Sequence, residues 1–83
     1  MAEHGTFNLT IASVAETRFD GPAISVTLPG EDGELTVLAH HEPIVTTLRA
    51  GKISVKEANG EHKTYDVESG VLEVSNNRAI VLL

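Results

Sequence analysis

Residues 24–35 read Ile-Ser-Val-Thr-Leu-Pro-Gly-Glu-Asp-Gly-Glu-Leu. Ile24, Val26 and Leu28 alternate with Ser25 and Thr27. That two-residue period belongs to a strand with one buried face and one wet face. Pro29-Gly30 then leads into an acidic loop, Glu31-Asp32, followed by Gly33, Glu34, Leu35 and a returning strand. The loop gathers Glu31, Asp32 and Glu34 at one end of a hairpin, where a partner can reach them. Nothing in the stretch is catalytic. It reads as a docking tip on an all-β module, and its alternative reading is a solvated turn.

The rest of the chain repeats this grammar. Met1 to Glu3 read as a frayed end. Phe7, Leu9 and Ile11 alternate in a first strand. A short strand spans residues 17–20, and Gly21-Pro22 suggests a turn before Ile24. Ile24/Val26/Leu28, Phe7/Leu9/Ile11 and Ile53/Val55 are the expected core. Pro43 has the character of a first helical residue, yet Ile44, Val45, Thr46 and Thr47 are all β-branched and favour extended backbone. Residues 44–48 therefore read as a strand. Ala50-Gly51 breaks it, and alternation resumes over 53–56. Asn59-Gly60 is a type I′ hairpin signal. Strands follow at 63–67 and 71–74, with Asn76-Asn77 as a second tight turn. Residues 79–83, Ala-Ile-Val-Leu-Leu, form an apolar strand expected to be buried on both faces or covered by a partner.

No segment carries a helical period. The expected fold is all-β: a flattened β-sandwich or barrel of about eight to ten short, mostly antiparallel strands. With 83 residues there is room for a single domain over 1–83. A chain this short buries only about 60–65% of its unfolded surface and gains from a partner.

The formal net charge is −6. Binding nucleic acid requires Lys and Arg to displace counterions, so no nucleic-acid partner is expected. Anionic lipid is disfavoured for the same reason. A positively charged protein surface is the natural complement. There is no cysteine, which excludes disulfides, thiolate metal sites and cysteine nucleophiles. The first twenty residues lack a basic segment followed by an apolar one, so no signal peptide is expected. No apolar run approaches a membrane span, and no direct membrane insertion is expected.

His40-His41-Glu42 superficially suggests zinc. Neighbours on an extended chain point to alternate sides and cannot all face one ion. Ser69-Gly70 lacks the Gly-x-Ser-x-Gly frame of a nucleophile elbow. The loop from Gly30 to Gly33 lacks the lysine of a phosphate loop, and its acids repel phosphate. The chain is expected to be no enzyme, with no catalytic residue, metal or cofactor.

Three blocks, taken in order, carry a family resemblance. They are Phe7-Asn8-Leu9-Thr10-Ile11; Phe19-Asp20-Gly21 with Ser25 to Gly30 and Gly33-Glu34-Leu35; and Gly70 to Asn77 with Ile80-Val81-Leu82. Together they resemble the N-terminal β-sandwich domain of the F-type ATP synthase epsilon subunit. The resemblance runs from about Phe7 to Leu82. It implies a non-catalytic rotor subunit of the central stalk of a proton-translocating ATP synthase, binding the gamma subunit and resting on the polar loops of the membrane c-ring. It also implies residence at the cytoplasmic face of the bacterial inner membrane, peripheral through the complex. Glu34 matches the family Glu of Gly-Glu-Leu, which faces basic c-ring loops. His41 matches the family His of Leu-Pro-Gly-His-Ala-Pro, in the loop near gamma and the c-ring. Glu31, Asp32, Glu34 and His41 thus make up the expected c-ring-facing edge.

Departures from the family pattern fall mainly in the loop after this hairpin. Thr36, Ala39, His40 and Glu42 all differ, with His40 at a family glycine. Losing that glycine removes easy access to positive φ and predicts an altered loop. The family's two-helix C-terminal domain has no counterpart here, so neither its self-inhibitory arm nor its nucleotide site is expected. From a different class, a stand-alone β-sandwich adaptor or small-ligand-binding module is the alternative, since fold alone does not fix function.

Overall fold

A computed structural model describes residues 5–83. The expectation for Met1 to Glu3 lies outside the described residues. Eight strands run in chain order: β1 Phe7–Ala12, β2 Thr17–Gly30, β3 Gly33–Leu38, β4 Ile44–Leu48, β5 Gly51–Glu57, β6 His62–Val67, β7 Gly70–Ser75 and β8 Arg78–Leu82. The β-branched 44–48 segment is extended, as its side chains favour. All pairings are antiparallel except β1 with β8, which is parallel.

β2 organises the molecule. Its first half, to Ala23, pairs with β1; its second half pairs with β3 on one side and β5 on the other. One layer is therefore β4-β7-β8-β1 with the start of β2, and the other is β3-β2-β5-β6. A single pairing of Gly30 with Leu48 brings the layers back together at the far end of β2.

Here the structure corrects two expectations. No turn forms at Gly21-Pro22. Gly21 pairs with Leu9 and Pro22 with Asn8, so β1 holds the segment extended. The bend comes two residues later. Ala23 pairs with Glu57 and Ser25 with Lys56, which leaves Ile24 as an extra residue in a β-bulge. Bulges let a strand bend and change layers. The extra residue also breaks the two-residue period. Ala23, Val26 and Leu28 are buried, whereas Ile24 is half-buried.

The other expected core residues are buried, and residues of β3, β4, β6, β7 and β8 complete the core around them. Phe7, Leu9 and Ile11 of β1 pack with Ile53 and Val55 of β5 and with Leu72, Val74, Ala79 and Val81. No polar side chain is buried among the described residues. Each fully buried Leu or Ile contributes about 1.5–3 kcal/mol. The last strand is buried on one face only: Ala79 and Val81 point in, Ile80 is half-buried and Leu82 is exposed.

The two hairpin turns differ in type. Asn76 (φ 51°) and Asn77 (φ 59°) are both left-handed, as a type I′ turn demands. At Asn59-Gly60 only Gly60 has positive φ (92°). Its amide donates to the Glu57 carbonyl at 2.8 Å, and the Glu57 amide donates to the Glu61 carbonyl at 2.8 Å. This is a three-residue loop with a glycine bulge rather than the type I′ turn expected. Asn59 shapes it by accepting from the Glu61 amide at 2.9 Å.

Candidate functional site

Glu31 and Asp32 form the link between β2 and β3, flanked by the Gly30–Gly33 pair. The turn is braced from β4. The Glu31 amide donates to the Thr47 carbonyl at 3.0 Å, and the Arg49 amide to the Pro29 carbonyl at 2.8 Å. The Thr47 hydroxyl donates to the Glu31 carboxylate. Glu31 is thus tied back to its own fold, while Asp32 and Glu34 are exposed and free of ion pairs with described residues. Glu34 sits on β3, which among the described residues pairs only with β2 and leaves its other edge without a strand partner. Beside it runs a shallow groove between β3 and β4, lined by Leu35, Ile44, Val45 and Thr46. The tip combines negative charge with an apolar floor.

His41 lies elsewhere. β3 runs five residue steps from Gly33 to Leu38, or about 17 Å, before the 39–43 loop begins. Glu31, Asp32 and Glu34 come together at one end of the molecule; His41 is at the other. Its amide donates to the Leu38 carbonyl at 3.2 Å. Its ring Nδ1 is 2.7 Å from the Glu42 carbonyl. A carbonyl only accepts, so Nδ1 carries the proton and Nε2 is the nitrogen left for a partner. His40 takes the left-handed conformation (φ 64°) despite having a side chain. The backbone freedom of the family's glycine is therefore supplied here by strain.

Three features had no clear sequence signal. Asn77 reaches the 39–43 loop across 37 residues of chain. Thr47 reads as an ordinary outward strand residue. Val45, Val71 and Leu82 form an exposed apolar strip across β4, β7 and β8, with Val71 paired directly to Leu82. The apolar run at 79–83 hinted only at its last member.

The groups with displaced titration lie on β6, away from the tip. Hydrogen bonding to Lys52 at 2.6 Å, and then its charge, hold the Asp66 carboxyl below the usual range. Lys63 is raised by its bond to Glu57, 3.1 Å away, and then by that carboxylate's charge. Among the described residues, no three His, Asp or Glu side chains converge as a metal site. Among the described residues, no helix is long and apolar enough to cross a membrane.

The family described as ATP synthase, Delta/Epsilon chain, beta-sandwich domain matches residues 6–83. The chain belongs to this family. Similar delta/epsilon proteins include the ATP synthase epsilon chain of Delftia acidovorans, 36% identical over 77 residues, covering 93% of this chain and 56% of the relative. The ATP synthase epsilon chain of Sulfurimonas denitrificans is 42% identical over 65 residues, covering 78% and 50%. Among solved structures, a chain of the Euglena gracilis mitochondrial ATP synthase OSCP/F1/c-ring assembly superposes with a TM-score of 0.87 at 25% identity, covering 94% of this chain and 50% of that one. A chain of the Tetrahymena thermophila ATP synthase central stalk/c-ring shares the fold, with a TM-score of 0.74 at 15% identity. The chain spans about half the length of the curated relatives it matches. Membership of the delta/epsilon family accounts for the all-β architecture.

Proposed function

We propose that this chain is the β-sandwich part of a non-catalytic rotor subunit in the central stalk of a proton-translocating F-type ATP synthase. It couples the gamma subunit to the c-ring, has no active site of its own and works at the cytoplasmic face of a bacterial inner membrane. The observation that carries the reading is the exposed Glu34, free of ion pairs with described residues, on an edge of β3 that no described strand pairs with, beside Asp32 and the β4-braced turn. A hairpin braced in this way keeps its carboxylates in place under load. Basic c-ring loops are the partner whose charge complements it.

The opposite ends of β3 address different partners in this reading. The acidic tip meets the ring, and the His41 loop turns toward gamma. The Val45/Val71/Leu82 strip adds an apolar surface of the kind that partners cover. A single exposed ion pair contributes only about 0–1 kcal/mol, so the tip sets register and approach more than affinity. Reversing a charge goes further, because it places like charges together. In the assembled synthase, Glu34→Lys is expected to weaken retention of the subunit on the c-ring by roughly tenfold, with its melting temperature unchanged. Undiminished co-purification and ATP-driven proton pumping in that variant would sink the reading. Nothing in the geometry favours a stand-alone adaptor.

A further inference from the structure

We infer that Asn77 is the positioning residue of the 39–43 loop, and that through it the β7–β8 turn sets how His41 is presented. The second half of this inference rests on the proposed contact role of His41. Asn77 makes three connections at once. Its Oδ1 accepts from the His40 amide at 2.8 Å. Its Nδ2 donates to the Thr6 carbonyl at 2.9 Å. Its own carbonyl accepts from the Asn8 amide at 3.2 Å. One half-buried side chain therefore ties the segment entering β1, the 39–43 loop and the β7–β8 turn together.

The bond to His40 matters because of where His40 sits. A non-glycine residue at φ 64° is held in a conformation that costs free energy unless its surroundings fix it. The Asn77 side chain meets the amide of that same strained residue. Asn77 makes this bond from a left-handed conformation of its own, at φ 59°. Two backbone conformations, 37 residues apart, are thus coupled through one amide group. His41 follows His40 directly, so its direction depends on this clasp.

The test uses the whole subunit, with hydrogen exchange read residue by residue and with reassembly onto gamma and the c-ring. Asn77→Gly keeps the left-handed turn and removes both side-chain bonds. It is expected to speed exchange of the His40 amide by about tenfold, with amides of the β5–β6 hairpin unaffected, and to weaken reassembly. Asn77→Asp keeps the Oδ1 acceptor and should restore His40 protection. A merely structural role would instead lower protection throughout. His41→Ala is expected to weaken reassembly while leaving His40 protection intact. Unchanged His40 protection in Asn77→Gly overturns the inference. So does reassembly that His41→Ala impairs and Asn77→Gly does not. If His41→Ala is silent, the contact role of His41 falls instead, and the exchange result alone decides whether Asn77 sets the loop.

Discussion

Gly30→Ala probes the joint on which the acidic tip depends. Gly30 is buried, pairs with Gly33 in the hairpin and pairs with Leu48 where the two layers meet. A Cβ added there would lie 2.5 Å from Leu35 Cδ2 and 2.7 Å from the Gly33 carbonyl oxygen. Leu35 is half-buried and can rotate away. The Gly33 oxygen is backbone in the tightest part of the hairpin and must move by several tenths of an ångström. Overpacking of this kind costs about 1–3 kcal/mol. Restricting the unfolded chain returns about 0.4–1 kcal/mol. The net loss is then about 1–2 kcal/mol. With a urea slope near 1 kcal/mol/M for so small a chain, the unfolding midpoint should fall by roughly 1–2 M. Moving the Gly33 carbonyl also disturbs the neighbouring Glu31 amide, whose exchange should quicken. A double variant with Leu35→Ala separates the two obstacles. If the backbone oxygen dominates, the penalty of Gly30→Ala persists in that background. A midpoint equal to or above that of the parent would show that the hairpin accepts a Cβ at Gly30 without a backbone clash.

Two further expectations follow from the fold. Val26→Ala should cost about 2 kcal/mol and Ile24→Ala no more than about 1 kcal/mol, although Ile24 loses more carbon, because the bulge leaves it half-buried; equal costs by urea unfolding would contradict the register. The Asp66–Lys52 pair should give a pH signature of definite sign. A carboxyl depressed in the folded state adds stability above its unfolded value, near pH 4, and loses it as pH falls through the lower folded value. The midpoint difference between the parent and Asp66→Asn should therefore be present at neutral pH and vanish in acid, and a difference that persists in acid would rule the pair out as its source.

How much was legible in the chain varied with the range of the interaction. Alternation at 7–11 and 53–55 assigned both strands and their buried faces, since adjacent side chains must point to opposite sides whatever they pack against. The Asn76-Asn77 turn was equally local, because left-handed backbone is a property of the residue types. Gly21-Pro22 misled for the converse reason. Its local preference for a turn was overridden by pairing with β1, a partner about a dozen residues away. The same holds for Ile24, whose place in the alternation was lost when β2 changed layers.

The class of fold, about half of the core and the acidic hairpin tip that opens at Glu31 were set by local sequence. These depend on neighbours along the chain. Only the tertiary contacts tie Glu31 to Thr47 while Glu34 makes no ion pair with a described residue, and only they bring Asn77 onto the loop that carries His41. Each of these rests on a hydrogen bond or a register between distant segments. Such pairings are chosen by how the two layers close around the core, and no local pattern encodes them.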